Sequence, residues 1–206
     1  MAAAEFGYES KLRDAGFSAI AGVDEAGRGA LAGPLVVAAV ILDPLKPIIG
    51  LNDSKLLSAT KREKLRIEIE AAAVAIAIVE ISVTEIDEIG IAQADVQGMR
   101  RALARLETAP DFVITDGFVV AGIDRPSLAM KKGDQLCASV SAASIVAKTH
   151  RDALMLELDS QYPEYKLALH KGYGTSQHVA ALRQYGNAEI HRRSFNWDKT
   201  ERLEAS

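Results

Sequence analysis

Asp24 and Glu25 stand side by side where an apolar run, Ser18 to Asp24, meets the glycine-rich turn Ala26-Gly27-Arg28-Gly29-Ala30. Two more aspartates occupy comparable places. Asp116 closes the apolar stretch Phe112 to Thr115, and Asp134 follows Ser127 to Met130 through Lys131-Lys132-Gly133. Gathered at one end of a sheet, such carboxylates repel one another, and their pKa values rise unless a cation neutralises them. With oxygen ligands only, and no histidine or cysteine at ligand spacing, a hard ion such as Mg²⁺ or Mn²⁺ is favoured over zinc. Two such ions can hold a phosphate, activate water and stabilise a leaving oxygen, so Asp24, Glu25, Asp116 and Asp134 form a candidate ligand set for phosphoryl transfer. Taken singly, each has an ordinary explanation: Asp24-Glu25 as a surface pair, Asp116 as a turn residue before Gly117, Asp134 as a helix cap. Those alternatives stay open residue by residue; all four as independent accidents are a weaker explanation.

Other residues in the chain offer different chemistry. Gly27-Arg28-Gly29-Ala30-Leu31-Ala32 fits the dinucleotide fingerprint G-x-G-x-x-A, with Asp53 near the distance of a ribose-binding acid, which makes a nicotinamide-dependent oxidoreductase the alternative reading. That fingerprint must open a helix, whereas Pro34 and the β-branched run Leu35 to Leu42 predict another strand. Gly22 to Arg28 is no phosphate loop, because Arg28 replaces the lysine and Gly29 the Ser or Thr. Lys148 and Arg151 lie one helical turn apart and either contact phosphates together or form a solvated helix face. His170 and His178 have no third ligand nearby in sequence, so they read as polar surface or substrate contacts.

The elements that must position these groups follow from periodicity. Ser18 to Asp24, Leu35 to Leu42 and Val74 to Val83 read as strands, and Thr60 to Ala73 as a helix running into the third of them. Val96, Met99, Leu103 and Leu106 recur at helical spacing and predict a helix over Ile91 to Glu107, stopped before Pro110. Phe112 to Thr115 and Ser127 to Met130 are short strands, each delivering an aspartate. The Ala- and Ser-rich stretch from Ala138 to Leu158 is a helix whose small residues permit close approach to a sheet, and Ser176 to Gln184 is a further helix ended by Gly186. The pattern is α/β, one domain of 206 residues with a polar tail from Asp198 to Ser206.

The formal net charge is -4, against the basic excess usual in nucleic-acid binders. Local distribution matters more than the total, and Lys131, Lys132, Lys148, Arg151, Lys171, Arg192 and Arg193 all lie in the second half. The single cysteine, Cys137, precludes an intramolecular disulfide and fits a reducing compartment, so a cytoplasmic location is expected. The first thirteen residues are polar and mildly helical, without the apolar core of a secretory signal. The longest apolar runs are too short to span a bilayer, and no membrane association is expected.

Taken in order, Gly22-Val23-Asp24-Glu25-Ala26-Gly27-Arg28-Gly29 with Leu31-Ala32-Gly33-Pro34 resembles the opening motif of the ribonuclease HII family. Leu51-Asn52-Asp53-Ser54-Lys55, Thr115-Asp116-Gly117, Lys132-Gly133-Asp134, Ala143 to Lys148, Arg151-Asp152, Gly172-Tyr173-Gly174-Thr175 and His191 to Phe195 look like its later blocks in the same order. The resemblance runs from about Ile20 to Phe195. It implies a ribonuclease H-like fold, a five-stranded mixed sheet flanked by helices with a small helical C-terminal region. It also implies endonucleolytic hydrolysis of RNA in RNA–DNA hybrids and at single ribonucleotides in duplex DNA; the four strand-end acids without a histidine pair add the expectation of two Mg²⁺ or Mn²⁺ ions and of 5′-phosphate and 3′-hydroxyl products. On this resemblance Asp24, Glu25, Asp116 and Asp134 are catalytic metal ligands, Gly27, Arg28 and Gly29 sense the 2′-hydroxyl and adjoining phosphate, and Tyr173 packs on the sugar at the RNA-to-DNA junction. The expected partners are those nucleic acids and the expected state a monomer, with protein partners open. Two positions depart from the family pattern: Leu56 stands where a second lysine is common, and Thr149 where an apolar residue usually follows Ala147-Lys148. A non-catalytic hybrid-binding module, its acids purely structural, is the other rival reading.

Overall fold

An unbroken run of β-branched and apolar residues suits a strand covered on both faces, and Leu35–Leu42 (β2) is buried along its whole length. Its neighbours are β1 (Ile20–Ala26) and β3 (Ala73–Ile81), both antiparallel to it. β4 (Phe112–Asp116) runs parallel to β1, and β5 (Ser127–Met130) parallel to β4. The sheet order is β3-β2-β1-β4-β5, the five-stranded mixed sheet expected. In this computed structural model residues 7–198 are described, so all of the expected polar tail except Asp198 lies outside them. The helices are α1 (Gly7–Asp14), α2 (Ala59–Ala72), α3 (Val83–Ile89), α4 (Ile91–Arg105), α5 (Gly133–Leu136), α6 (Ala138–Gln161), α7 (Leu167–His170) and α8 (Ser176–Tyr185).

Strand alternation sorts the sheet into two faces. Ala26, Val36, Ala38 and Val40 pack with Leu65 and Ile69 of α2 and with Ala142, Ala143 and Val146 of α6. Ala21, Val23, Val37 and Ala39 pack on the other side with Ala94, Met99 and Ala102 of α4. A third apolar cluster joins Leu31 and Ala32 of the β1–β2 turn to Met155, Tyr165, Leu182 and Ile190, tying the C-terminal helices to that turn.

Three departures from the periodicity reading bear on the site and its supports. β1 begins at Ile20 and continues through Glu25 to Ala26, so Glu25 joins Asp24 in the strand and does not open the turn. β3 stops at Ile81 because Ser82 caps α3, its side chain accepting from the Glu85 N–H. Ser82 and Glu85 form the S-x-x-E spacing of a capping box, a signal masked by the apolar run before it. Third, the described part of the polar N-terminal stretch, α1, is a docked helix: its Glu9 carboxylate is buried and accepts from the Ser139 N–H at 2.9 Å and its hydroxyl at 2.7 Å. It thereby serves the N-terminus of α6, where Cys137 contributes no side-chain cap.

Candidate metal centre and substrate cleft

Period-two alternation sends Asp24 and Glu25 to opposite faces of β1, and parallel pairing of β1 with β4 brings Asp116 alongside Asp24. Asp134, in the first turn of α5, completes a set in which carboxylate oxygens of Asp24, Asp116 and Asp134 lie within 4.8 Å of one another. The centre is held by backbone donors: Asp24 accepts from the Glu25 N–H at 2.7 Å, and Asp116 from the Gly133 N–H at 2.7 Å. Asp116 is thus the last residue of β4, and its carboxylate is tied to the start of α5. Asp134 does not cap α6, whose N-cap is Cys137.

Burial, together with the charges of Glu25 and Asp116, pushes the Asp24 carboxyl well above its usual range. Asp116 is raised chiefly by burial, and Asp134 rises to about 6 through burial and the charges of Asp116 and Asp53. Glu25 lies outside the three-residue set and is raised by burial, with Arg28 pulling its pKa down and Asp116 pushing it up. Two residues of the centre escaped the sequence reading as site residues, Asp53 and Lys55. Burial lowers the Lys55 pKa, but Asp53, Asp24 and Asp134 more than offset it and leave it raised. Asp53 also accepts from the Lys55 N–H at 2.9 Å and from Gln135 at 3.3 Å. The block Leu51 to Lys55 held the clue, since it was matched as a family block and Asp53 was weighed only as a ribose-binding acid, with no role given to Lys55.

Beside the carboxylates opens a cleft of ≈ 440 Å³ walled by Glu25, Arg28, Gly29, Lys55, Lys148 and Tyr173 among others. Another cavity, lined by Arg100, Arg101 and Arg125, shares no residue with it or with the carboxylate set. The glycine loop that forms the cleft wall leads into β2, not into a helix, which removes the basis for dinucleotide binding. It is fastened by distant segments: Leu31 N–H donates to Gly172 at 2.8 Å, Gly33 N–H to Ile190 at 2.9 Å, and Arg192 N–H to Leu31 at 2.8 Å.

Two arginines complete the fastening. Arg151 is fully buried and donates to the carbonyls of Pro34, Lys171 and Ala32 at 2.9 to 3.0 Å. The expectation that Arg151 contacts a phosphate is thus corrected: its donors are committed to loop carbonyls in the interior. Arg192, also buried, donates to the carbonyls of Gly33 and Arg28, and burial lowers its pKa to about 9. Gly27 and Gly29 accordingly differ. Gly27 has φ +91 and a side chain there would strike Arg151 at 1.9 Å, whereas nothing lies within 4 Å of a Cβ at Gly29. Lys148 stays partly exposed, bonded to Asp152 at 2.7 Å, with its ammonium 5.8 Å from the Tyr173 ring. Thr149, the departure on α6, is buried and satisfied by the Ile145 carbonyl at 2.7 Å.

Behind Tyr173 the histidines expected at the surface are buried. His178 Nδ1 meets the Tyr173 carbonyl at 3.1 Å, its Nε2 meets His191 Nε2 at 3.1 Å, and its ring stacks on His170 at 4.4 Å. Burial lowers all of their pKa values, that of His178 to about 4, with the charge of His170 adding to the effect. The folded cluster refuses protons that the unfolded chain accepts, so its stabilisation is whole above pH 6.5 and is lost as the pH falls toward 4. The loss through His178 alone is about 3 kcal/mol. Urea denaturation at pH 7 and 4.5 is expected to show a smaller pH dependence in His178→Gln than in the parent; identical dependences would contradict the assignment.

The profile of the Ribonuclease HII family matches residues 21–197. The chain is 48% identical over 203 residues to Ribonuclease HII of Cutibacterium acnes, covering 97% of this chain and 100% of that one. It is 51% identical over 190 residues to Ribonuclease HII of Acidothermus cellulolyticus, covering 91% of this chain but only 62% of that relative's length. Among solved structures, ribonuclease H2 of Pyrococcus horikoshii superposes with a TM-score of 0.74 at 28% identity, over 92% of this chain and 100% of that one. The strand order, the carboxylates at the β1–β4 junction and these likenesses agree: the chain belongs to the ribonuclease HII family, a family of metal-dependent endoribonucleases with the ribonuclease H-like fold.

Proposed function

We propose that this protein cuts the RNA strand of RNA–DNA hybrids and nicks duplex DNA 5′ of a single embedded ribonucleotide, leaving 5′-phosphate and 3′-hydroxyl ends. The observation that carries this reading is the convergence of Asp24, Asp116 and Asp134 within 4.8 Å beside a cleft walled by Arg28, Gly29 and Tyr173. The donor set fits two divalent cations, Mn²⁺ or Mg²⁺. It is all oxygen, and burial and mutual repulsion keep the carboxyls raised in a way that a bound cation relieves. When bound, such cations supply water activation and charge stabilisation at the phosphate.

The chain's own residues bind and orient. Asp24, Asp116 and Asp134 would hold the cations, with Glu25 completing the set from the cleft wall. Lys148 offers its ammonium to a phosphate. Arg28 and the open space over Gly29 receive the ribose and its adjoining phosphate, and Tyr173 packs on the sugar. The 2′-hydroxyl is what lets such a wall tell RNA from DNA. We place the protein in the cytoplasm, since the only cysteine, Cys137, is a buried free thiol that fits a reducing compartment. Among the described residues no helix is long and apolar enough to cross a membrane.

The test is incubation with duplex DNA carrying one ribonucleotide, with Mn²⁺ or Mg²⁺ and with chelator. A metal-dependent nick leaving a 3′-hydroxyl is expected; a cyclic phosphate end, or intact substrate bound but never cut, would refute the reading. Gly29→Ala isolates the cleft wall. With nothing near its Cβ, the variant is expected to melt like the parent while KM rises about tenfold, the scale of one lost close contact. Lowered stability at unchanged KM would instead make Gly29 a purely structural residue. Leu56 is 47% exposed at the end of the turn that carries Lys55. Leu56→Lys is expected to tighten binding and to steepen the dependence of log affinity on log salt by about one. An unchanged salt slope would place residue 56 away from the nucleic acid.

A further inference from the structure

Carboxylates are almost never fully buried without a partner, yet Asp95, in the middle of α4, has no exposed surface. Neither of its oxygens has a hydrogen-bond partner. Its ion-pair partner is Arg28, whose Nε stands 3.3 Å from Asp95 Oδ2, with the Arg28 side chain 47% exposed and that of Asp95 fully covered. Around Asp95 the same helix presents Ala94, Met99 and Ala102 to the sheet, an apolar setting in which a residue of similar volume would pack with no charge to desolvate. Packing therefore gives no account of a carboxylate at this position, whereas Arg28 does.

Arg28 is otherwise held only in part. Its carbonyl accepts from Arg192 at 2.9 Å, which secures the backbone, and its guanidinium lies 5.3 Å from the Phe118 ring. The side chain stands in the cleft wall, where an unrestrained arginine would sample many rotamers and lose that freedom on binding. A carboxyl group fixed on α4, a rigid element packed on the sheet, and standing 3.3 Å from the guanidinium, removes much of that loss in advance.

We propose that Asp95 is a positioning residue that holds the Arg28 guanidinium in the cleft wall, preset toward the substrate. This rests on the reading of Arg28 as a substrate contact. The role belongs to binding and not to the metal centre, so its signature is a change in KM with kcat and the metal requirement preserved.

The test is a cycle of Asp95→Asn, Arg28→Gln and the double variant, assayed on duplex DNA with one ribonucleotide. Each single change is expected to raise KM about tenfold, the scale of one charge-assisted contact, with kcat altered less than about threefold. The double variant is expected to match Arg28→Gln alone, and Mn²⁺ half-saturation to stay at the parent's value. If Arg28→Gln raises KM and Asp95→Asn does not, the positioning role fails while Arg28 stands as a substrate contact. If Arg28→Gln leaves KM unchanged, the substrate reading of Arg28 fails and this inference with it. A shifted Mn²⁺ requirement in Asp95→Asn at parental KM would overturn it in favour of a role at the metals. Thermal unfolding of the same set is a second arm: Arg28→Gln strands the buried carboxylate, so it should lower the melting temperature more than the double variant does. Strictly additive shifts would overturn the pairing. Asp95→Ser, smaller and uncharged, runs the same cycle should the asparagine variant fold poorly.

Discussion

Asp116→Asn is expected to reduce kcat on a ribonucleotide-containing duplex by more than about a hundredfold, because loss of an outer partner of a metal ligand already costs about 10–100-fold in such sites. The fold should survive. The Asn carbonyl can still accept from the Gly133 N–H, as Asp116 Oδ1 does at 2.7 Å, so the start of α5 keeps its anchor. The charge is what disappears. Asp116 raises the pKa of Asp24 and, after burial, is the largest influence on that of Asp134, so neutralising it relieves repulsion in the metal-free protein. The expected pattern is thus a nearly inactive enzyme with a melting temperature at or above the parent's, and with little of the rise that Mn²⁺ produces in the parent. Kinetics with and without chelator, beside thermal unfolding with and without Mn²⁺, check both halves. Parental activity in this variant would sink the metal-centre reading.

Gly22→Ala should damage the protein by an unrelated route. A Cβ at this point of β1 would lie 2.1 Å from the Ser139 carbonyl carbon and 2.3 Å from the Val140 nitrogen. Both are backbone atoms of α6, so no flexible side chain can give way. The helix would have to move off the sheet, taking with it Ser144 and Lys148 of the cleft wall and the Ser139 groups seated on Glu9. Overpacking of a well-filled core costs about 1–3 kcal/mol and occasionally more, and a collision with backbone belongs at the upper end. Urea denaturation is expected to show a loss of about 3 kcal/mol or more, or a chain that no longer accumulates in folded form. A midpoint equal to the parent's would mean that α6 does not approach β1 this closely. Set beside the near-neutral stability expected of Gly29→Ala, the pair separates a glycine needed for packing from one left open to a ligand.

The division between what was legible beforehand and what was not follows the range of the forces involved. Element types are local, and apolar spacing in Leu35 to Leu42 or from Val96 to Met99 and Leu103 was enough to place β2 and α4. Boundaries were less legible where two local signals competed, as at Ser82, where an apolar run ended on a capping box. Polar residues inside the molecule were hardest. Arg151 resembled a surface cation because its three carbonyl partners belong to residues 32, 34 and 171. His170 and His178 looked solvated because the groups burying them come from other turns of the C-terminal region. Asp95 fell among the charged positions of an amphipathic helix, and nothing near it in the chain marks it as the partner of Arg28.

By itself, then, the amino-acid sequence determined the α/β class, the acidic residues delivered by the strands and, through the order of its motifs, the family. Tertiary structure alone decided which of those acids meet. Alternation along β1 parts Asp24 from Glu25 although they are adjacent, and pairing of β1 with β4 joins Asp24 to Asp116 across 92 positions, as the register Val23↔Thr115 shows. Side-chain direction is a property of the strand and can be read locally, but the choice of neighbouring strand depends on the packing of the whole sheet.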